Sequence, residues 1–378
     1  MPLPTPADSH ERLYEPTDRV DTPAVLVDLD TVEANLDRYA DFADEHGVRL
    51  RSHVKTHKTP ALAHLQDRRT GGGIVCQTLG EVEVMAASGI EDIYLTYMVV
   101  GERKLDRLTR VAATVDRFAT TVDGPGNVRP LQEAAARRGV TVNTVLELDT
   151  GMGRVGASYA DAVERAELIA EQPNLDFDGV MAYEGMVFGE DDVRTSAEYE
   201  TRCFEVMDEV QRAVEEIEDA GIPVEEVRVG STATSLYSGK HPVVTEINPG
   251  MYIFNDGRLV EDSPDVSPGN CALTVASTVI STEAEDRIVV DAGSKSIARD
   301  VDLPPLAVGH EGLDYFTASE EHGWVDTSDC EESFAVGDRI EWVPPHVCTT
   351  VNLHDTLVGT REGRVEDVWN VQARGKVR

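Results

Sequence analysis

From residue 24 onward, short runs rich in β-branched and apolar residues alternate with longer amphipathic stretches, the rhythm of a strand–helix repeat. The runs are 24–28, 48–52, 73–77, 92–96, 117–122, 142–149, 177–183 and 227–230. Each precedes a helix-like stretch such as 31–45 or 197–220. Eight such units predict a closed (β/α)8 TIM-type barrel and not an open doubly wound sheet. After Asp256 the texture changes to short alternating runs at 273–280, 287–291 and 339–343, separated by Gly, Pro and Asp, which reads as an antiparallel β domain. The chain shows no internal repeat and no low-complexity segment.

At 378 residues the chain can bury one large barrel core plus a smaller domain. Seventy Asp and Glu against 34 Lys and Arg give a net charge of −36, spread along the chain. That distribution argues against a nucleic-acid partner. With scarce lysine and only 41% apolar residues, it resembles proteins of a high-salt cytoplasm, where screening makes self-repulsion tolerable. Cys76, Cys203, Cys271, Cys330 and Cys348 are odd in number and widely spaced, so a reducing compartment is expected. The N-terminus is Pro-rich and acidic without an apolar signal core, and no stretch approaches the roughly 18 apolar residues of a membrane span. The expectation is a soluble, cytoplasmic protein with no membrane partner.

Residues 51–60, RSHVKTHKTP, place Lys55 where an apolar strand ends, among basic neighbours and short polar groups. A lysine held there can have its pKa lowered and form an imine with an aldehyde. The chain has six lysines, hence 28 arginines among its 34 cations, so Lys55 and Lys58 in one decapeptide stand out from composition. In the segment 342–355, WVPPHVCTTVNLHD, His346 and Cys348 lie two apart. On an extended segment both side chains point to one face, as zinc ligands on a strand do. His53 and His57 have helix-type metal spacing, but a strand end breaks that geometry. His10, His46, His64, His241 and His310 lack companions at ligand spacing and are read as solvated. Gly124-Pro125-Gly126 is a loop, without the residues of a phosphate motif.

Taken together, these segments resemble the D-threonine aldolase and D-serine dehydratase family, pyridoxal 5′-phosphate (PLP) enzymes with an alanine-racemase-like barrel. The resemblance starts at 21–30 (DTPAVLVDLD) and includes the Lys55 decapeptide, 76–81 (CQTLGE), 149–156 (DTGMGRVG), 230–234 (GSTAT) and 246–252 (EINPGMY). Residues 291–295 (DAGSK), 321–323 (EHG) and the His346/Cys348 segment complete it.

It implies a PLP-binding barrel over 18–258 and a β domain over 259–378, joined by the N-terminal arm 1–17 and carrying the metal ligands. Lys55 would anchor the cofactor and act in catalysis. Gly230, Ser231 and Thr232, after the eighth strand, would cradle the phosphate with backbone N–H groups and hydroxyls. Gly250, Met251 and Tyr252 would supply the rest of the cradle. Arg154 matches the family's arginine beneath the cofactor; facing the pyridine nitrogen, a guanidinium would keep that nitrogen unprotonated and shift the burden onto the metal. Tyr183 and Gln77 would pack at the ring. His346 and Cys348 would hold a divalent metal, zinc or alternatively manganese.

The resemblance implies a metal-assisted lyase acting on small-molecule D-3-hydroxy amino acids. Cysteine two residues after the histidine leans toward D-serine dehydratase chemistry, yielding pyruvate and ammonia, while D-threonine aldolase cleavage to glycine and an aldehyde is the alternative. A racemase would need a second base, and Tyr315 is the only tyrosine after Tyr252. A non-catalytic PLP carrier would not need the second domain, and a PLP-free metal hydrolase would carry its ligands on barrel strands. The fold also implies a head-to-tail homodimer.

Overall fold

A computed structural model describes residues 13–190 and 193–378. By its contacts the chain divides into two units, Met1–Leu36 with Met251–Arg374, and Asp37–Gly250 with Gly375–Arg378. The divisions fall within the helix Leu29–His46, at the end of the 246–250 stretch, and between Arg374 and Gly375.

The larger unit is a parallel barrel. Its strands are Arg49–Leu50, Ser52–His53, Ile74–Cys76, Asp92–Leu95, Arg117–Val122, Val142–Leu148, Leu175–Ala182, Glu226–Val229 and Glu246–Ile247. The first two form one stave interrupted at Arg51. Arg49, Arg51 and His53 donate their backbone N–H groups in turn to Thr245, Ile247 and Pro249, while Ser52–His53 pairs with Ile74–Val75 on the other side. This closes eight staves.

Two strand assignments need correction. The 24–28 run is indeed a strand, Ala24–Asp28, but it pairs with Leu273–Ser281 and Thr356–Arg361 in the other unit's sheet. The last stave is Glu246–Ile247, so the strand ending at Val229 is the seventh and not the eighth. An apolar five-residue run reads alike for either sheet, and a two-residue strand carries too little periodicity to be read at all.

Sequence signals set the helix starts. Thr195 accepts from the Glu198 N–H while the Glu198 carboxylate takes the Thr195 N–H, a capping box that opens Ser196–Asp219. Inside the barrel, Val75, Tyr94, Ala119, Val145 and Met181 form one apolar cluster. Toward the strand starts lies a network of buried charges. Arg228 bonds Asp178 and Glu246, while Arg51 bonds Glu246 and Asp92. Arg228, Arg51 and Glu246 are all essentially without solvent exposure. The barrel end opposite the candidate site is therefore filled by paired charges.

The smaller unit is built on a mostly antiparallel sheet, in the order Asp314–Ala318, Gly323–Asp326, Arg287–Val290, Leu273–Ser281, Ala24–Asp28, Thr356–Arg361, Arg364–Asn370. Arg339–Val343 pairs with Leu273–Ser281 off this path. Trp342 anchors the core, its Nε1 donating to Ser277 Oγ at 2.8 Å and its ring edge-on to Tyr315.

No helix among the described residues is long and apolar enough to cross a membrane. The helix Ser196–Asp219 carries Glu200, Glu205, Glu209, Glu215 and Glu218 on exposed or half-exposed positions, against Arg202 and Arg212. Such repulsion is relieved when molar salt shortens the screening length to about 3 Å. The thermal unfolding midpoint is therefore expected to rise steeply between dilute buffer and molar KCl; a flat midpoint would make the charge a solubility device only.

Candidate active site

Lys55 sits in the single 3-10 turn Val54–Thr56 at the end of the stave Ser52–His53, half-buried among buried neighbours. Its backbone N–H donates to His53 Nδ1 at 3.3 Å, and His53 Nε2 lies 3.1 Å from Gln77 Oε1. One histidine nitrogen accepts and the other donates, which fixes a neutral tautomer. Burial, reinforced by the Lys55 charge, holds the His53 pKa well below its ordinary value. His57 is likewise neutral, brought down to about 4 by burial, with Nε2 2.9 Å from Gln66 Oε1 and Nδ1 accepting from Thr59. Neither histidine is a metal ligand here. Lys58, with a left-handed φ of 53°, is ion-paired to buried Glu81, whose other oxygen takes the Gln77 N–H. Gln77 Nε2 donates to Thr96 O at 3.2 Å, tying two adjacent strand ends together.

Across the barrel mouth, the Arg154 guanidinium lies over the Tyr183 ring, 4.7 Å from its centroid, and 3.8 Å from Glu147. Tyr183 packs on the interior apolar cluster, and its carbonyl accepts from Thr150 Oγ1 at 2.6 Å. Gly185 is required beside it, because a Cβ there would come within 2.2 Å of the Tyr183 ring. Glu147 was not singled out from sequence. It shares the inward face of Val145 two residues earlier and is 5% exposed, and burial pushes its carboxyl up to about 7 against the opposing pull of Arg154. The available signal was the one acid of the strand Val142–Leu148, set between Leu146 and Leu148.

The segment 230–232 follows the strand Glu226–Val229, and Gly250 closes on it. Gly250 N–H donates to Thr232 Oγ1 at 3.2 Å, and Thr232 O accepts from Tyr39 OH at 2.9 Å. A Cβ on Gly250 would meet His53 Cβ, His53 O and Thr56 Oγ1 at 3.2 Å, tighter than ordinary van der Waals contact, so the segment lies closely against the Lys55 turn. The Gly230 N–H is taken by Glu184 Oε2 at 3.2 Å. Ser231 accepts the Thr234 and Ser235 N–H groups, and Ser235 Oγ is buried without a partner. Lys55, Gln77, Thr232 and Gly250 thus adjoin one another through His53 and Thr56. Arg154 and Tyr183 form a second group. Met251 and Tyr252 belong to the other unit, in the turn Met251–Ile253, where Tyr252 is fully buried.

The smaller unit holds His346 and Cys348. The segment is not a strand beyond His346: Val347–Val351 is a helix, capped at its start by Asp256 Oδ2 accepting the Val347 N–H at 3.0 Å. His346 is the extended residue before it, and Cys348 lies in the first turn. Side chains two apart do not face each other within a helix, so it is the extended backbone at His346, just before the first turn, that lets the two side chains meet, and they share a hydrogen bond. Asp300 Oδ2 lies 2.6 Å from His346 Nδ1 and accepts from Thr349 Oγ1 at 2.8 Å. Nothing near Asp300 in the sequence marks it. Among the described residues no group of three or more His, Cys, Asp or Glu converges as a metal cage.

Of the other histidines, His241 is buried, with Nε2 3.2 Å from Asp208 Oδ1 and its ring edge-on to Phe204, and is not solvated. His64 is half-buried and bonds Ser88 O, and His10 lies outside the described residues. Tyr315, the racemase alternative's only late tyrosine, is fully buried and donates to Ala292 O at 2.6 Å, which leaves no hydroxyl facing a substrate.

The alanine racemase N-terminal domain family matches residues 27–257, and the putative serine dehydratase domain matches 272–360. A D-threonine aldolase of Arthrobacter sp. is 34% identical over 375 residues, covering 99% of this chain and 97% of that protein. A 3-hydroxy-D-aspartate aldolase of Paracoccus denitrificans is 34% identical over 365 residues, covering 94% and 93%. The crystal structure of D-threonine aldolase from Filomicrobium marinum superposes with a TM-score of 0.91 at 33% identity, covering 97% of this chain and 99% of that one. Sequence and fold agree over nearly the whole length, and the chain belongs to the D-threonine aldolase and D-serine dehydratase family of alanine-racemase-like lyases.

Proposed function

We propose that this chain is a PLP-dependent, divalent-metal-assisted lyase of D-3-hydroxy amino acids, with the cofactor at the barrel mouth and the metal on the β unit. The observation that carries the reading is the Lys55 turn, with Gly250 packed against it and tied to Thr232. It provides one amine and a close-fitting glycine-lined edge on neighbouring strand ends. The residues present fit PLP. Ser231, Thr232 and the unpartnered Ser235 hydroxyl offer phosphate contacts on a turn framed by Gly230 and Gly250, whose own N–H groups are taken by Glu184 and Thr232, and Gln77, Arg154 and Tyr183 offer faces for the ring. Bound PLP supplies the electron sink that stabilises negative charge at the substrate Cα.

His346 and Cys348 fit a thiophilic divalent ion such as zinc, since they present one imidazole and one thiolate sulfur. With Asp300 on Nδ1, the imidazole presents Nε2 as its donor, the carboxylate–histidine arrangement of many metal sites. A bound metal supplies a Lewis acid for the β-hydroxyl.

Lys55 Nζ would anchor the cofactor, and the same amine would serve as the base that moves the Cα proton. Neutral His53 and His57 keep further positive charge away from it. In retro-aldol cleavage the β-hydroxyl loses its proton, the Cα–Cβ bond breaks to release an aldehyde, and a proton delivered to Cα yields glycine. In elimination the proton leaves Cα and the Cβ–O bond breaks. Hydrolysis of the product then gives a 2-oxo acid and ammonia.

Similarity to two aldolases along nearly the whole chain outweighs one cysteine, so retro-aldol cleavage ranks first, reversing the lean taken from Cys348 alone. Incubation with D-serine, D-threonine and D-3-hydroxyaspartate tests this. Glycine plus aldehyde is expected, a predominance of 2-oxo acid would restore the elimination reading, and neither product would sink the lyase reading. The family's head-to-tail homodimer is part of the proposal; a fully active monomer would contradict it.

The metal reading predicts that EDTA removes activity while the cofactor's visible absorption stays, and that Cys348→Ala does the same. Asp300→Ala should weaken zinc binding about 10–100-fold in a chelator competition, as loss of a histidine's hydrogen-bond partner does. Full activity in metal-free protein would exclude the metal's role.

A further inference from the structure

Glu184 follows Tyr183 directly and is fully buried in the barrel unit. Its carboxylate has no ion-pair partner recorded among the described residues. Instead, Oε2 accepts the Gly230 N–H at 3.2 Å, and Oε1 accepts Thr234 Oγ1 at 2.8 Å and Ser238 Oγ at 2.9 Å. These three donors come from the start, middle and end of the turn-and-helix segment 230–238. Burying an acid without a counter-ion costs several kcal/mol, and the desolvation is large enough to push its carboxyl up from the ordinary carboxylate range. A hydrophobic side chain would fill the same space at lower cost, so packing does not account for an acid here.

What the acid does account for is shape. The stretch between its bonds, Ser231 to Ala233, has no regular structure of its own; Ser231 O accepts from Thr234 and Ser235 in a short turn, and Thr232 O accepts from Tyr39 OH at 2.9 Å. A side-chain tie on this stretch is Thr232 Oγ1, which accepts the Gly250 N–H. One carboxylate therefore ties both ends of the loop and takes up the Gly230 donor, so that in the cradle reading the phosphate contacts fall to Ser231, Thr232 and Ser235. The same residue joins that loop to Tyr183, through a single peptide bond.

We infer that Glu184 is a positioning residue that holds the 230–235 turn in the shape that accepts the cofactor's phosphate. The inference rests on the cradle reading above. It makes no claim that Glu184 touches the cofactor; it acts through Gly230, Thr234 and Ser238.

The test measures binding of PLP and of pyridoxal, which lacks the phosphate, to cofactor-free full-length protein. In Glu184→Leu, PLP affinity should fall by on the order of tenfold or more while pyridoxal affinity holds, because only the phosphate contacts are disturbed. Glu184→Gln should recover most of the loss: its oxygen can take the Gly230 N–H, and its amide can donate to the two hydroxyls after they rotate. Thr234→Val, which removes one donor and keeps the shape, should show a smaller loss and remains informative if Glu184→Leu does not fold. Wild-type PLP affinity in folded Glu184→Leu and in Thr234→Val would overturn the inference. Gly230→Ala separates it from the cradle reading, since a Cβ there would stand 3.0 Å from Asn248 Cβ and 3.1 Å from its carbonyl and disturb the turn directly. If Gly230→Ala loses the preference for PLP over pyridoxal and the Glu184 and Thr234 variants keep it, the cradle stands and the role of Glu184 falls. If all of them keep it, the phosphate binds elsewhere and both fail.

Discussion

Lys55→Ala is expected to abolish the visible absorption of the cofactor-loaded protein together with its turnover. Loss of the base alone should cost roughly 10²–10⁴-fold, beyond any loss of cofactor binding. The structure sharpens this expectation because it separates the two lysines of the decapeptide. Lys58 is engaged with Glu81, which is itself part of the cap that starts the helix Leu79–Ala87. Lys58→Met should leave the absorption in place and lower stability instead, by about 3–5 kcal/mol, since it strands a buried carboxylate. Absorption that survives Lys55→Ala and disappears in Lys58→Met would make Lys58 the anchor and dismantle the site described here.

The second large effect concerns stability. Arg228 is wholly buried, bonded to Asp178 and Glu246 and stacked over Tyr94 at 4.8 Å. Arg228→Met removes the cation and leaves two acids in the barrel with fewer partners, and breaking such a buried network costs about 3–5 kcal/mol. The unfolding midpoint should fall by about 10 °C, taking roughly 2–4 °C per kcal/mol for a domain of this size. Arg110→Met is the control. Its pair with Asp106 is more than half exposed on the arginine side, and an exposed, solvent-screened pair contributes little. Equal shifts in the two variants would show that the buried charges are not what holds this end of the barrel.

Both expectations depend on which end of a strand a residue occupies. That ordering is legible locally: a run of apolar residues giving way to short polar ones marks where a strand stops, and Lys55 was read in that way, while Gln77, Tyr183 and Gly230 were assigned by the family resemblance and lie at such ends too. The identity of each residue as an amine, a guanidinium or a thiol was equally plain. So was the change in texture after Asp256, because strand and helix periods differ within a few residues.

What a linear reading could not supply was partnership. The run 24–28 has the right composition for a barrel stave, yet it pairs with residues around 275 and 358, a choice made by contacts hundreds of positions away. The true last stave, Glu246–Ile247, is defined by its neighbours on both sides and not by its two residues. His346 and Cys348 were legible as a pair, while the helix that carries Cys348 is capped from Asp256 and the imidazole is oriented from Asp300. Glu147, Glu184 and Arg228 look like ordinary charges in the chain. Only burial made them costly, and only the folded barrel brought each the partners that offset that cost, because hydrogen bonds and ion pairs between distant strands leave no local pattern in the sequence.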